Sequence, residues 1–408
     1  MAECFDIAII GGGASGLVAA ISACREKACR VVVFERHERV GKKLLATGNG
    51  RCNLINSGSL ANRYHGGIAF AYDVLKRYPY DKIAAFFSGI GIPMVEEDRG
   101  KCFPFSLQAS AVLDQLRFAV SESGAQICCG CEVTDISGDC GGFILHSSQG
   151  DFTAPRVIVC AGGKASPQLS SDGLGYQMLK RLGHTITPLA PSIVQIKTQT
   201  NSIRGLKGIK VQAAVTVTAG GQTMRDQGEV LFTEYGLSGP PILQLSRMIS
   251  VAGQGNIVLD LFASQSFDWV VDQLIFRRKA WGSRIMEHLL TGLMHKRLGQ
   301  AILKNTGISI SREIGTLTDR EINQIADAAK RFTLHATGVQ SWRNAQVTAG
   351  GADTAEFDSQ TLESKRKPGL YAAGEVLDVD GDCGGFNLHW AWASGLLAGQ
   401  SAARGIGR

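Results

Sequence analysis

Six residues near the amino terminus have the spacing of a phosphate-binding turn. Residues 11–16 read GGGASG, which matches G-x-G-x-x-G directly after an apolar run and before a helix-compatible segment. In such a turn Gly11 allows the tight bend, Gly13 lets backbone N–H groups approach a pyrophosphate, and Gly16 lets the helix pack closely on the strand. Glu35 ends the next apolar run, where a carboxylate can accept hydrogen bonds from both hydroxyls of a ribose and disfavours a 2′-phosphate. The pattern predicts a dinucleotide site and leaves NAD and FAD both open.

Further glycine-rich segments bear on that choice, because a ligand as long as FAD needs contacts beyond the first turn. They span residues 41–53, 161–163, 350–351 and 374–387. Segment 41–53 (GKKLLATGNGRCN) joins three cations to three glycines and can bring positive charge and backbone donors to a pyrophosphate or a flavin edge. The acid at 375 follows an apolar run, where it can bind the ribityl chain. A solvated loop and a surface turn are the alternatives for these two segments, and together the segments favour FAD.

The last glycine-rich segment leads into a predicted helix over 389–403. Gly384-Gly385-Phe386-Asn387 precedes it, and a helix N-terminus carries roughly half a positive charge. Placed at the N1–C2=O edge of a flavin, that charge would stabilise the anionic reduced ring. An ordinary helix cap is the alternative, and the cofactor interpretation makes Gly385 a contact.

Candidate catalytic groups are few. His389 at the start of the last helix could supply a proton, and Trp390 could wall the pocket, although packing or capping also explains each. Cys52 lies in segment 41–53, where nearby positive charge could lower its pKa, although packing explains it as well. Three further polar side chains are weaker candidates on the substrate side: Tyr235, Asp380 and Asp382. We therefore assign no catalytic acid or base.

The order of predicted elements places these residues in an α/β domain that is split in two. Strands over 5–10 and 30–35 flank a helix over 17–27, and a third strand covers 156–160. Helical stretches are predicted at about 70–90 and 107–123. From about 192 the chain is β-rich, and segments 267–281, 284–304 and 318–331 then read as helices. Because the glycine-rich pattern returns after about residue 345, we predict a nucleotide-binding domain interrupted by an insert of strands plus a helical segment.

Composition narrows the function classes. With 42 Lys and Arg against 36 Asp and Glu, and no long basic run, charge does not imply a nucleic-acid partner. Eleven cysteines without framework spacing or a secretory signal favour reduced thiols in the cytoplasm. Glycines interrupt the apolar stretch 7–23, so we predict no membrane span. The C-x-x-C of Cys128 and Cys131 lies in a predicted strand without further ligands, so we predict no metal.

The longest motifs resemble the BaiN/YhiN-type, aminoacetone-oxidase-like, flavoproteins over essentially the whole chain. The segments are GGGASGL, GKKLLATGNGRCNLIN, CAGGKASPQLSSDGLGY, LFTEYGLSGPPILQLS, VTAGGAD and GLYAAGEVLDVDGDCGGFNLHWAWASG. The resemblance implies an α/β fold: a split Rossmann-like FAD-binding domain with an inserted β-barrel domain carrying a helical subdomain. The boundaries we expect are 1–191 and 346–408 for the FAD-binding domain, 192–262 for the barrel, 263–330 for the helical subdomain and 331–345 for a return strand.

The resemblance also implies the cofactor contacts and the chemistry. The FAD contacts that it carries over are Gly13, Ser15, Glu35, Lys42, Lys43, Gly50, Arg51, Gly162, Glu375, Asn387 and Leu388, with Val133 added by analogy with flavoproteins whose adenine is held by backbone there. We expect an FAD-dependent oxidoreductase that transfers hydride through flavin N5, as an NAD(P)H-linked reductase of a small organic substrate such as an enone or a 3-dehydro-bile acid. The alternatives are an amine oxidase using oxygen, a non-catalytic flavin-bound binding protein and an NAD-dependent dehydrogenase.

Overall fold

The computed structural model describes residues 3–60, 62–139 and 142–407. The chain divides into two compact units, each with its own hydrophobic core. The split unit comprises residues 1–190 and 347–408, and the inserted unit comprises residues 191–346. No helix in the described ranges is long and apolar enough to cross a membrane. Cys140 lies outside the described residues, and no disulfide joins the cysteines within them.

The strands and helices follow in chain order. The strands are β1 (Glu3–Cys4), β2 (Ile7–Ile10), β3 (Val31–Glu35), β4 (Ile55–Asn56), β5 (Tyr64–Gly66), β6 (Met94–Glu97), β7 (Lys101–Pro104), β8 (Gln126–Cys129), β9 (Val133–Asp139), β10 (Gly142–Ser147), β11 (Gly150–Ala154), β12 (Arg156–Val159), β13 (Ala190–Ser192), β14 (Ile196–Thr198), β15 (Lys210–Ala219), β16 (Gln222–Phe232), β17 (Gly236–Ser238), β18 (Gly255–Asp260), β19 (Phe332–Val339), β20 (Val347–Ala349), β21 (Leu370–Ala372) and β22 (Val379–Gly381). The helices are α1 (Ala14–Glu26), α2 (Lys42–Ala46), α3 (Ile68–Arg77), α4 (Tyr80–Gly89), α5 (Ala109–Glu122), α6 (Leu174–Arg181), α7 (Pro240–Ala252), α8 (Phe267–Ala280), α9 (Lys296–Asn305), α10 (Asp319–Lys330) and α11 (Phe386–Gly405).

A parallel sheet of order β21-β12-β2-β3-β8 forms the centre of the split unit. All four residues of β2 (IAII) are buried, as expected for a parallel strand whose two faces are both covered. β21 comes from the segment after the insert, yet it pairs with β12 from the segment before it. The two ends of the chain therefore complete one sheet, which confirms the predicted split α/β domain.

The inserted unit contains a closed barrel of order β14-β17-β16-β15-β18-β19 together with α8, α9 and α10, so the β-barrel expectation is confirmed. The predicted helix over 284–304 is wrong, because only Lys296–Asn305 is α-helical. Gly292 adopts a φ of +85°, a left-handed conformation that an α-helix does not accommodate. Ahead of it, Ile285 forms an antiparallel bridge with Glu313 instead of a helical turn.

Candidate cofactor site

The fingerprint turn follows β2 at the carboxyl end of the central sheet. Gly11 has a φ of +110°, and a Cβ there would lie less than 3.0 Å from the carbonyl oxygen of Cys160. A Cβ on Gly16 would meet the carbonyl oxygen of Gly11 equally closely, so only glycine lets α1 approach the strand. At Gly13, by contrast, a Cβ would meet nothing within 4 Å. The space in front of the α1 N-terminus is therefore open, as a pyrophosphate there requires.

Glu35 is fixed by two backbone donors. Its Oε2 accepts a hydrogen bond from the Gly12 N–H at 3.1 Å, and its Oε1 accepts one from the His37 N–H at 3.0 Å. These bonds fix the orientation of the carboxylate at the end of β3. Because each carboxylate oxygen has further lone pairs, Glu35 can still accept hydrogen bonds from a ribose.

Two predicted contacts from distant segments meet in an ion pair. Lys43 Nζ donates to Glu375 Oε2 at 2.7 Å, and both side chains are partly buried. Glu375 Oε1 accepts a hydrogen bond from the Thr348 N–H at 2.9 Å, and the Tyr176 hydroxyl donates to the Glu375 carbonyl oxygen at 3.2 Å. The Glu375 carboxylate, which follows β21, thus joins α2 to β20.

The loop from Gly48 to Cys52 has an unusual backbone. Gly48, Asn49 and Gly50 have φ values of +57°, +56° and +83°, and Cys52 has a φ of +58°. The Arg51 guanidinium pairs with Glu97 and lies 4.1 Å from the centre of the Phe103 ring. The Arg51 side chain is therefore engaged with strands β6 and β7, and what this loop can offer a cofactor is chiefly its backbone.

Helix α11 begins at Phe386, so the predicted start at 389 is wrong by one turn. Gly385 is the N-cap, with a φ of +105°. The Asn387 amide fixes the first turn, because its Oδ1 accepts from the Gly381 N–H at 2.8 Å and its Nδ2 donates to the Gly381 carbonyl oxygen at 2.7 Å. Since the first N–H groups of a helix have no intrahelical acceptor, this turn presents backbone donors, including that of Leu388.

Two buried tryptophans connect α11 to the other segments of the site. Trp390 Nε1 donates to the Gly374 carbonyl oxygen at 3.0 Å, and Trp392 Nε1 donates to the Leu54 carbonyl oxygen at 2.8 Å. One helix thus holds both the Gly374-Glu375 turn and the loop that ends at Asn53. The sequence interpretation missed Trp392, although a buried indole N–H normally needs an acceptor and that requirement was a usable signal.

His389 and Cys52, two of the candidate catalytic groups in the split unit, are both uncharged near neutral pH. Burial lowers the pKa of His389 to about 4, and its Nε2 lies 2.8 Å from the carbonyl oxygen of Tyr78, to which the neutral ring donates. Burial raises the pKa of the Cys52 thiol to about 12. These environments argue for packing rather than proton transfer or nucleophilic attack by either group.

The remaining sequence candidates are dispersed. Asp382 accepts from Arg63 at 3.2 Å and lies 3.0 Å from His65 Nε2, and Asp380 is fully buried. Tyr235 belongs to the inserted unit. The other predicted contacts lie at ends of elements in the split unit: Ser15 in the first turn of α1, with its hydroxyl 3.5 Å from the Ala373 carbonyl oxygen, Lys42 at the exposed start of α2, Val133 at the buried start of β9, and Gly162 after β12 with a φ of +72°.

These features define a dinucleotide-binding α/β protein, and the candidate site comprises the β2–α1 turn, Glu35, the loop before β4 and the N-terminus of α11. The open space at Gly13 and the buried Asn53 Oδ1, which has no hydrogen-bond partner in the described part of the chain, both fit an extended flavin dinucleotide. The chain belongs to the HI0933-like family, whose Rossmann-domain model matches residues 5–401. It is an FAD-dependent oxidoreductase, as its sequence predicted.

Curated relatives cover nearly the whole chain. The chain is 37% identical to the 3-dehydro-bile acid delta(4,6)-reductase of Clostridium scindens, over 97% of this chain and 98% of that protein. It is 27% identical to the ribosomal RNA dihydrouridine synthase of Haemophilus influenzae, over 99% of this chain and 100% of that protein. Among solved structures, 3-ketosteroid delta1-dehydrogenase from Sterolibacterium denitrificans aligns with a TM-score of 0.51 and 14% identity, over 98% of this chain and 100% of that one, which supports the fold alone.

Proposed function

We propose that this protein is an NAD(P)H-linked reductase of a carbon–carbon double bond conjugated to a carbonyl group, as in an enone or a 3-dehydro-bile acid. The observation that carries the proposal is the 37% identity, over nearly the full length of both chains, to a protein named as a 3-dehydro-bile acid reductase. The open space at Gly13 and the backbone donors in the first turn of α11 support it, because such chemistry needs a flavin held at both ends.

Bound FAD would supply two-electron transfer through its N5, and the protein supplies binding and electrostatics. Glu35 would hold the adenosine ribose, and the backbone at Gly11, Gly13 and Gly16 would surround the pyrophosphate. The N-terminus of α11 at Gly385 would place its partial positive charge at the pyrimidine edge and so favour the reduced ring. The other proposed cofactor contacts are Ser15, Lys42, Lys43, Gly50, Arg51, Val133, Gly162, Glu375, Asn387 and Leu388.

Only one G-x-G-x-x-G follows a predicted strand in the sequence. We therefore propose that a nicotinamide donor visits the flavin transiently and has no second dinucleotide domain of its own. With pKa values of about 4 for His389 and about 12 for Cys52, both are poor proton donors at neutral pH, and we propose that solvent supplies the proton that accompanies the hydride.

Anaerobic stopped-flow absorbance tests the proposal. The yellow holoprotein is mixed with NADH, with NADPH or with small primary amines, and the reduced protein is then mixed with an enone steroid or with oxygen. We expect reduction by a nicotinamide and faster reoxidation by the enone than by oxygen. Reduction by an amine alone, followed by rapid reoxidation by oxygen, would identify an amine oxidase. Failure of every donor and acceptor would favour a flavin-bound binding protein.

A second candidate substrate is a uridine of ribosomal RNA, whose C5=C6 bond is also conjugated to a carbonyl group. The charge distribution of the chain favours it. Residues 191–346 hold 18 Lys and Arg against 11 Asp and Glu, whereas the rest of the chain holds 24 against 25. A unit with this excess of positive charge attracts a polyanion, and the 27% identical relative is named as a ribosomal RNA dihydrouridine synthase.

Mass spectrometry of nucleosides distinguishes the two substrates. Unmodified ribosomal RNA is incubated with the holoprotein and NADPH, digested and assayed for dihydrouridine, in parallel with an enone steroid assayed for its saturated product. Dihydrouridine formation at a rate that exceeds enone reduction, and that falls with added salt as phosphate contacts predict, would assign the RNA substrate. Enone reduction without dihydrouridine would assign the small substrate.

A further inference from the structure

The side chain of Asn53 contains a buried acceptor without a donor. Its Oδ1 is inaccessible to solvent and has no hydrogen-bond partner among the described residues, while the residue as a whole remains partly exposed. The amide lies against the N-cap of α11, since a Cβ on Gly385 would come within 3.0 Å of Asn53 Oδ1. Buried amide oxygens are normally satisfied, so this one needs a donor from outside the protein.

The side-chain amides of the neighbouring asparagines form hydrogen bonds within the protein itself. Asn56 Nδ2 donates to the carbonyl oxygens of Arg99 at 3.1 Å and Gly384 at 2.9 Å, and Asn56 Oδ1 accepts from the Gly58 N–H at 2.9 Å. The amide of Asn387 is committed to Gly381, as described above. Among the three asparagines around the final glycine turn, Asn53 is therefore the one whose side-chain oxygen accepts no hydrogen bond from the described residues.

We propose that Asn53 Oδ1 accepts a hydrogen bond from the N3–H of the flavin, an inference that rests on the FAD site proposed above. The pyrimidine edge of a flavin presents an acceptor, a donor and an acceptor at C2=O, N3–H and C4=O. The first turn of α11 presents donors, which match a carbonyl oxygen but not N3–H. Asn53 supplies the missing acceptor beside that turn, and so it is a positioning residue that sets the register of the flavin ring against α11.

The test compares FAD with 3-methyl-FAD, in which a methyl group replaces the N3 hydrogen. Apoprotein prepared from the holoprotein is titrated with each compound, and binding is followed by flavin fluorescence. We expect wild type to bind 3-methyl-FAD about tenfold or more weakly than FAD, because the methyl group removes the hydrogen bond and clashes with the amide. Asn53→Ala should weaken FAD binding by about 3- to 10-fold and reduce the preference for FAD to less than about threefold.

Two further variants separate a specific contact from a general loss of structure. Asn56→Ala removes a nearby amide, in β4, that is paired within the protein, so it should weaken the binding of both compounds by the same factor. Asn53→Asp retains an acceptor, so it should keep the preference for FAD and raise the pKa of the bound flavin N3–H, measured from the flavin spectrum at high pH. If Asn53→Asp binds FAD more weakly than Asn53→Ala does, the amide nitrogen is the contact and the proposal is overturned.

The wild-type comparison alone can also refute the inference, because it requires no variant to fold. Equal affinity of wild type for FAD and 3-methyl-FAD would overturn the role of Asn53 and leave the FAD site intact. Absence of binding to either compound would instead overturn the proposed cofactor site.

Discussion

Replacement of Glu35 by glutamine tests whether the end of β3 holds the adenosine ribose. In the folded chain the carboxylate already accepts the N–H groups of Gly12 at 3.1 Å and His37 at 3.0 Å. Glu35→Gln converts one of its two acceptor positions into a donor. The new amide group must therefore face an N–H group or the ribose with the wrong polarity, whichever way the side chain is flipped.

The expected loss of FAD affinity follows from the hydrogen bonds that the substitution changes. A hydrogen bond to a charged group contributes about 1.5–3 kcal/mol, and the ribose loses one such bond when the carboxylate loses its charge. Since 1.4 kcal/mol corresponds to a tenfold change in affinity, Glu35→Gln should weaken FAD binding by roughly 10- to 150-fold.

FMN provides the internal control, because it carries the flavin and one phosphate but no adenosine. Apoprotein is titrated with FAD and with FMN, and the two dissociation constants are compared between wild type and variant. We expect Glu35→Gln to lose affinity for FAD only. Glu38→Gln, at an exposed position in the following turn, should change neither dissociation constant. An equal loss for FMN would show that Glu35 acts by maintaining the fold, and an unchanged affinity for FAD would refute its assignment to the ribose.

Three further outcomes follow from the structure. Gly16→Ala should abolish FAD binding, seen as a colourless purified protein, because its Cβ would lie less than 3.0 Å from the Gly11 carbonyl oxygen; a yellow variant would contradict this. Burial alone would raise the pKa of Glu356, but hydrogen bonds outweigh it and lower the pKa from 4.5 to about 2. The contribution of the ionised Glu356 carboxylate to the free energy of unfolding is therefore complete above pH 4.5 and is lost as the pH falls toward 2. In urea unfolding, Glu356→Gln should lower the free energy of unfolding by about 3 kcal/mol at pH 7 and by progressively less below pH 4.5. A decrease that does not depend on pH would contradict the shifted pKa. Because burial raises the pKa of Cys52 to about 12, native protein treated with iodoacetamide at neutral pH should be alkylated at exposed Cys4 and not at Cys52, as peptide mass spectrometry would show.

Sequence alone predicted those features whose cause is local. Gly11 and Gly16 are required by the backbone of one turn, so their spacing was sufficient to predict it, and the buried run of β2 identified a parallel strand. Where the sequence analysis overlooked a local signal, the predicted element was wrong. The stretch predicted as a helix at about 70–90 forms two helices, because Pro79 cannot continue the first one.

Features that depend on contacts between distant segments were not predictable in this way. The unpaired acceptor of Asn53 lies beside Gly385, a residue from the other end of the chain. The ion pair of Lys43 with Glu375 likewise has no signature in either segment, although the resemblance had assigned both residues to the cofactor. The composition gives one net charge for the whole chain. The excess of Lys and Arg in residues 191–346 appears only when the charged residues of the two units are counted separately.

The contact between α1 and α11 explains how the proposed cofactor site can be built from segments on both sides of the insert. A Cβ on Gly395 would meet the carbonyl oxygen of Ser15, and a Cβ on Gly399 would meet that of Ala19, both at less than 3.0 Å. These two glycines, four residues apart on one face of α11, let the backbones of the two helices touch without intervening side chains. The fingerprint turn lies at the N-terminus of α1 and the final glycine turn lies at the N-terminus of α11. The separation of the two turns is therefore set by backbone packing within the split unit, so the insert can change in sequence without changing the distance between the two ends of the proposed cofactor site.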